Sequence, residues 1–308
     1  MDEQLAPAAS MTVDDVAPVE VAIPGMQVAR LDRGRHETEL TVVGIDDIGL
    51  AVGRFDFKVT SEGDVGPEEL RLGLQLEEGL GSWNGKAFDL DRLWVYGPGA
   101  EHAGAASPHH AGRGATWATF TLSPDAMADA GVLDIVDRTG FQSILNADTR
   151  LLRTTIGDVL TEVRKQTLNV DQARRARREL CDATGSLLRC ADEDTPGAPP
   201  AHKITRQCLV VADDLDPIPT TAELAAALDV SDRWIRSSFE RVYGVSVSGF
   251  FRARALHSAR RCLTAADPTS TSVTEIAMAC GFWHLGRFAG YYHGHFGEYP
   301  RTTLHRAA

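Results

Sequence analysis

Two stretches of the C-terminal third repeat one pattern: Glu223 to Ser246, ELAAALDVSDRWIRSSFERVYGVS, and Val273 to Pro300, VTEIAMACGFWHLGRFAGYYHGHFGEYP. At an offset of 52, Glu223, Leu224, Ala225 and Ala227 fall on Glu275, Ile276, Ala277 and Ala279. Past a turn the offset steps to 53, and Ile235, Phe239 and Gly244 fall on Phe288, Tyr292 and Gly297. Thr220 and Ser272 each stand three residues before a glutamate, the spacing of a capping box that satisfies orphan helix N–H groups. Two copies of one helical unit explain this register.

Each copy predicts a short amphipathic helix, a tight turn and a second helix. In the first copy the turn is Asp229-Val230-Ser231, with Ser231 as N-cap, and Ile235 and Phe239 at i, i+4 face inward. The other face of that helix shows Arg233, Arg236, Ser237, Glu240 and Arg241. An apolar inside and an arginine-rich outside after a tight turn is what helix-turn-helix docking in a major groove requires, with guanidinium groups forking to guanine N7 and O6. A solvated surface helix would show the same face once; a second copy favours docking. Between the copies, SVSGFFRARALHSARRCLTAADP places Phe251, Ala255, Ala259 and Cys262/Leu263 on one stripe and predicts a connecting helix ended by Asp267-Pro268. Such a connector would hold two readers about 34 Å apart, one turn of duplex.

On these motifs residues 217–304 resemble the double helix-turn-helix domain of the AraC/XylS family of bacterial transcription regulators. The carriers are the two stretches above and the linker FFRARALHSARRCL. The resemblance implies double-stranded DNA, a promoter operator, as the partner, RNA polymerase as a second partner, and activation or repression as the output. It implies base reading through the positions of Ser231, Arg233, Arg236 and Ser237, with Arg241 nearby. In the second copy the matching positions are His284, Leu285, Gly286 and Gly290, and Arg287 is a further candidate contact. Glycine at 286 and 290 departs from the family pattern, because glycine carries no side chain for readout and weakens a helix interior.

The chain of 308 residues, 43% hydrophobic and 24% charged, is ordinary globular material for about two domains. Its net charge of −12 hides a split: residues 203–308 carry 12 Lys+Arg against 10 Asp+Glu, so the remainder carries a balance of −14. No signal-like start and no long apolar run is seen, which predicts a cytoplasmic protein without a membrane partner. Five cysteines without a CxxC pair read as reduced thiols.

The expected fold class is multidomain α+β. Residues 1–25 read as a flexible N-terminus, and 26–148 as a β-rich domain whose runs TELTVVG, GLAVGRFDFKVTS, ELRLGLQLE, RLWVYGPG and ATWATFTLS are separated by turn residues. This part resembles the cupin-like or jelly-roll sensor domain of many AraC/XylS regulators, which implies a small-molecule effector. Trp83, Trp94, Tyr96 and Trp117 serve core or pocket. Residues 149–190 read as helices for packing or homodimerisation, 191–202 as a Pro/Gly/acidic linker, and 203–308 as the DNA-binding domain. Its helix-turn-helix units span about 220–243 and 272–296, joined by a helix over about 247–265.

Competing chemistries are weaker. His293 and His295 do not share a helix face as i, i+4 ligands would, and a closed zinc site needs four ligands. His109-His110 with His102 and Glu101 would fit a cupin-type metal-dependent oxygenase, the enzyme alternative. GLGSWNGKAF fails the phosphate-loop pattern in spacing and in its final Ala87. No catalytic residue, cofactor or metal is expected. A protein-interaction module with degenerate helix-turn-helix units is the remaining alternative.

Overall fold

The computed structural model describes residues 9–13, 16–34, 38–107, 115–136, 140–145, 147–190, 200–212, 215 and 218–306. The elements run β1 (Ala9–Val13), α1 (Ala17–Ala22), β2 (Met26–Arg30), β3 (Thr38–Ile45), β4 (Ile48–Phe55), β5 (Val59–Asp64), β6 (Leu70–Gln75), β7 (Leu80–Trp83), β8 (Lys86–Ala87), β9 (Arg92–Tyr96), β10 (Glu101–Ser107), β11 (Ala115–Leu122), α2 (Pro124–Ala130), α3 (Leu133–Val136) and β12 (Phe141–Leu145). Helices follow: α4 (Arg150–Lys165), α5 (Val170–Cys190), α6 (Pro200–Ala212), α7 (Thr221–Leu228), α8 (Asp232–Tyr243), α9 (Val247–Ala265), α10 (Val273–Ala279), α11 (Leu285–Phe296) and α12 (Pro300–Arg306). The chain divides into two compact units. The first holds Met1–Val28, Glu37–Asp56 and Ser61–Gly197; the second holds Ala29–His36, Phe57–Thr60 and Ala198–Ala308. The fold class is α+β, a β-rich N-terminal part followed by a helical C-terminal part.

A seven-stranded sheet of the first unit runs β1-β3-β4-β11-β6-β9-β12, and a five-stranded sheet runs β2-β5-β10-β7-β8. Strand β11 lies antiparallel between β4 and β6, so Phe120 faces Leu50 and Leu72 in register. Every residue of β6 is buried, Arg71 and Gln75 included, although LRLGLQ alternates leucine with arginine, glycine and glutamine. Leu152, Ile156, Val159 and Val163 of α4 and Ala173, Ala176 and Leu180 of α5 join Leu50, Leu72, Leu93, Val95 and Phe120 in one core. The apolar spacing of 152–163 therefore buries against the sheet of its own unit. Arg177 on α5 donates to Asp47 at 2.5 Å and to Asp129 at 2.6 Å, and its hydrogen bond holds the Asp47 carboxyl below the usual range.

The other aromatic residues pack inside this unit. Trp83 meets Trp94 edge-on at 5.0 Å and Phe88 at 5.1 Å. Space for the indole comes from glycine: a Cβ on Gly104 would stand 2.3 Å from Trp83 Cδ1. The rejected phosphate-loop mimic is a hairpin, with Asn84 and Gly85 at positive φ (45° and 77°), the turn that Asn-Gly favours between strands β7 and β8. Trp83, Trp94, Tyr96 and Trp117 are all buried.

Some elements were not foreseen. Residues 9–23, expected to be flexible, contain β1 paired with β3 and α1 with Val19 buried. Strand β10, EHAGAAS, escaped notice because small residues carry little β propensity. The Pro/Gly/acidic linker lies outside the described residues up to 199, and Pro200 already begins α6.

The second unit is helical. Its first core joins Ile235, Phe239 and Tyr243 of α8 to Phe250 and Phe251 of α9, with Tyr243 and Phe250 rings 4.4 Å apart. Its second core is a ladder of rings on α11: Phe282 to Phe288 at 4.8 Å, Phe288 to Tyr292 at 5.6 Å and Tyr292 to Phe296 at 4.6 Å. Tyr292 donates to Thr303 Oγ1 at 2.9 Å, Thr303 to Glu298 at 2.9 Å, and Arg260 pairs with Glu298 at 3.2 Å. Most of the aromatic cluster near the C-terminus is therefore core.

Candidate nucleic-acid interface

Two helix-turn-helix units stand in the second unit of the chain, and the local chemistry shows why. Thr220 Oγ1 accepts from Glu223 N–H at 3.2 Å while the Glu223 carboxylate accepts from Thr220 N–H at 2.7 Å. Ser272 and Glu275 repeat this with 3.2 and 2.8 Å. Hydrogen bonds from the cap residue's N–H and hydroxyl hold both glutamates below their usual pKa. The first turn is made by Asp229 in the left-handed region (φ 51°), and Ser231 then caps α8 by accepting from Trp234 N–H at 3.3 Å. Gly244 and Gly297, at φ 63° and 73°, stop α8 and α11 in the left-handed conformation that glycine adopts without strain.

On α8, Arg233, Arg236, Ser237 and Arg241 are exposed while Ile235 and Phe239 are fully buried. Arg236 is braced by Asp232 one turn earlier at 3.3 Å, and the Ser237 hydroxyl donates back to the Trp234 carbonyl at 3.0 Å. Both arginines stand on a helix anchored by its apolar side, with chains long enough to reach a groove.

On α11, His284, Leu285 and Arg287 are exposed, and His284 occupies the N-cap position without a capping hydrogen bond from its side chain. Gly286 and Gly290 are exposed as well, and a Cβ on either would meet nothing within 4 Å. Three aromatic residues on these units are exposed, Trp234, Trp283 and Tyr291, at 43%, 64% and 38%; the sequence leaves the last two undecided between core and surface and does not single out the first. Trp234 was legible as the remaining large residue between Arg233 and Ile235. Tyr291 lies under Arg252, whose guanidinium carbon is 4.9 Å from the ring centroid, a cation–π contact joining α9 and α11.

The histidines divide by environment. His295 and His257 are buried, their Nε2 atoms 3.3 Å apart, and burial pushes them down to about 2 and about 3. His102 accepts or donates between Ser61 Oγ at 2.7 Å and Tyr96 at 3.0 Å, and burial lowers it to about 3. Among the described residues, no group of three or more His, Cys, Asp or Glu side chains could hold a metal ion; His109 and His110 lie outside them. Cys181, Cys208, Cys262 and Cys280 are free thiols.

A double helix-turn-helix with an arginine-bearing recognition helix defines a DNA-binding domain. Residues 224–306 match the family described as "Helix-turn-helix domain". The XylDLEGF operon transcriptional activator of Pseudomonas putida is 43% identical over 83 residues, 27% of this chain and 25% of that protein. The probable thc operon regulatory protein of Rhodococcus erythropolis is 39% identical over 85 residues, 28% of this chain and 26% of that protein. A solved structure of a probable AraC family transcriptional regulator from Rhodopseudomonas palustris is 36% identical, over 34% of this chain and 97% of its own, with a TM-score of 0.31. The matches span about a quarter of the length of those two curated relatives. Residues 224–306 of the C-terminal unit are thus a helix-turn-helix domain similar to those of bacterial transcriptional activators.

Proposed function

We propose that the protein is a sequence-specific regulator of transcription that binds double-stranded DNA at a promoter operator in the cytoplasm. The observation that carries this reading is the repetition of a capped helix-turn-helix whose first recognition helix turns Arg233 and Arg236 outward from a packed Ile235–Phe239 face. Arg233 and Arg236 read guanine edges, Ser231 and Ser237 contact the adjacent strand, and Arg241 holds a phosphate. His284, Leu285 and Arg287, all exposed at the start of α11, supply the contacts of the second unit. The β-rich unit acts as a sensor for a small-molecule effector and, through its helical part, as a homodimerisation element; the regulator then recruits or excludes RNA polymerase. Its role is regulatory rather than enzymatic. Among the described residues no helix is long and apolar enough to cross a membrane.

The test is selection from fragmented genomic DNA by the full chain at moderate salt, followed by sequencing of what is retained. A discrete enriched site is expected; uniform retention or none would sink the reading.

A further inference from the structure

The second recognition helix carries glycine where a reader needs side chains, yet it borders a strongly cationic cleft. Gly286, Gly290 and Gly294 recur every fourth residue along α11, and a Cβ on any of them would meet nothing within 4 Å. Beside them lies a cavity of 620 Å³ lined by Arg252 of α9, by Arg287, Gly290 and Tyr291 of α11, and by Arg33. Arg33 belongs to the segment 29–34 of the same compact unit, which is tied to α11 where Gly34 N–H donates to the Gly294 and His295 carbonyls at 3.2 Å each. No carboxylate side chain is among the residues that line the cavity. Ser246 and Gly249, at the start of the long helix α9, form another part of the wall, where the helix dipole is positive.

Three arginines gathered from three segments around one cleft, in a chain of net charge −12, call for an anion. Which anion is decided by α11. Arg287 and Gly290 stand on the exposed side of the second helix of the second helix-turn-helix, within the span that matches the helix-turn-helix family, and bare glycine lets a duplex backbone approach closer than a side chain would. Guanidinium is the cation whose fork fits phosphate oxygens.

The geometry points to a phosphodiester site: Arg252 and Arg287, with Arg33, grip the DNA backbone beside α11, so the second unit positions the protein on the duplex while the first reads the bases. This rests on the DNA-binding reading above and assigns Arg252 and Arg33 to it. The second unit then contributes affinity and register and little discrimination between sequences.

The test measures the affinity of the full chain for its selected operator and for unrelated DNA across a series of NaCl concentrations. Arg252→Gln is expected to weaken both affinities alike and to make log K against log [salt] shallower by about 0.9, one phosphate contact. Arg252→Lys keeps the charge and should keep the slope. Gly290→Arg fills open space and should steepen the slope by about 0.9, with the ratio of operator to unrelated DNA unchanged. Melting temperatures establish that each variant folds, and Gly290→Arg keeps the test decisive if Arg252→Gln does not. Operator binding that persists with an unchanged slope in the folded variants overturns the phosphate site. A changed ratio overturns it too, because α11 would then read bases. If the wild-type chain selects no operator, the regulator reading itself has failed, an outcome separate from these.

Discussion

His257 accepts the Arg30 backbone N–H through Nε2 at 3.0 Å, and His295 Nε2 lies 3.3 Å from the same atom. The accepting nitrogen is unprotonated, so the His257 proton sits on Nδ1 and a charged ring has no place beside Arg30. Desolvation accordingly holds His257 at about 3 and His295 at about 2, against an ordinary value of 6.5.

The pair should therefore make stability fall with acid. Below pH 6.5 the unfolded chain takes up protons that the folded chain refuses, so stability is full above that value and is lost as pH drops toward about 3. By pH 5 the loss amounts to roughly 2 kcal/mol for one such ring. Chemical denaturation of the full chain at pH 7, 6 and 5 checks this, with His257→Asn/His295→Asn expected to show a flatter dependence. His102, held at about 3 in the first unit, adds a slope that the double variant retains.

Gly286→Ala and Gly290→Ala should each raise the stability of the second unit by about 0.5–1 kcal/mol, because alanine is the better helix former and neither Cβ meets an atom within 4 Å. Thermal unfolding gives the value. A drop would mean that these glycines need a conformation or an approach that α11 alone does not show.

Arg233→Ala should cost about 1–3 kcal/mol on the operator and far less on unrelated DNA, the mark of a bidentate base contact. Arg236→Ala should behave alike. Asp232→Ala, which removes the 3.3 Å brace on Arg236, should have a smaller effect of the same kind. Binding titrations on both DNAs at one salt concentration separate the three.

Gly104→Ala should destabilise the first unit by about 1–3 kcal/mol. Its Cβ would lie 2.3 Å from Trp83 Cδ1 and 2.7 Å from the Ser82 carbonyl, and Trp83 is itself wedged against Trp94 and Phe88. A fall in melting temperature with a change in tryptophan fluorescence is the expected readout.

The helix-turn-helix units were legible in the sequence because their determinants are local. Thr220 with Glu223 and Ser272 with Glu275 form capping boxes from residues three apart, and Ile235 with Phe239 repeats as Phe288 with Tyr292 at one helical turn. Short-range periodicity writes itself into neighbouring letters. The β-rich unit was legible in its leucine-rich and aromatic strands, β6 and β11, and not in β10, whose alanines and single glycine take their conformation from partners more than twenty residues away.

The sequence by itself determined the two helix-turn-helix units, their caps and the arginine face of α8, since each depends on side chains one turn apart. Only the tertiary structure decided what long-range contacts control. It left Trp234 and Trp283 in solvent and packed α4 against its own sheet. It also brought Arg33 to a cleft with Arg252 and Arg287. Those residues are 219 and 254 positions from Arg33 along the chain, and no periodicity reaches that far.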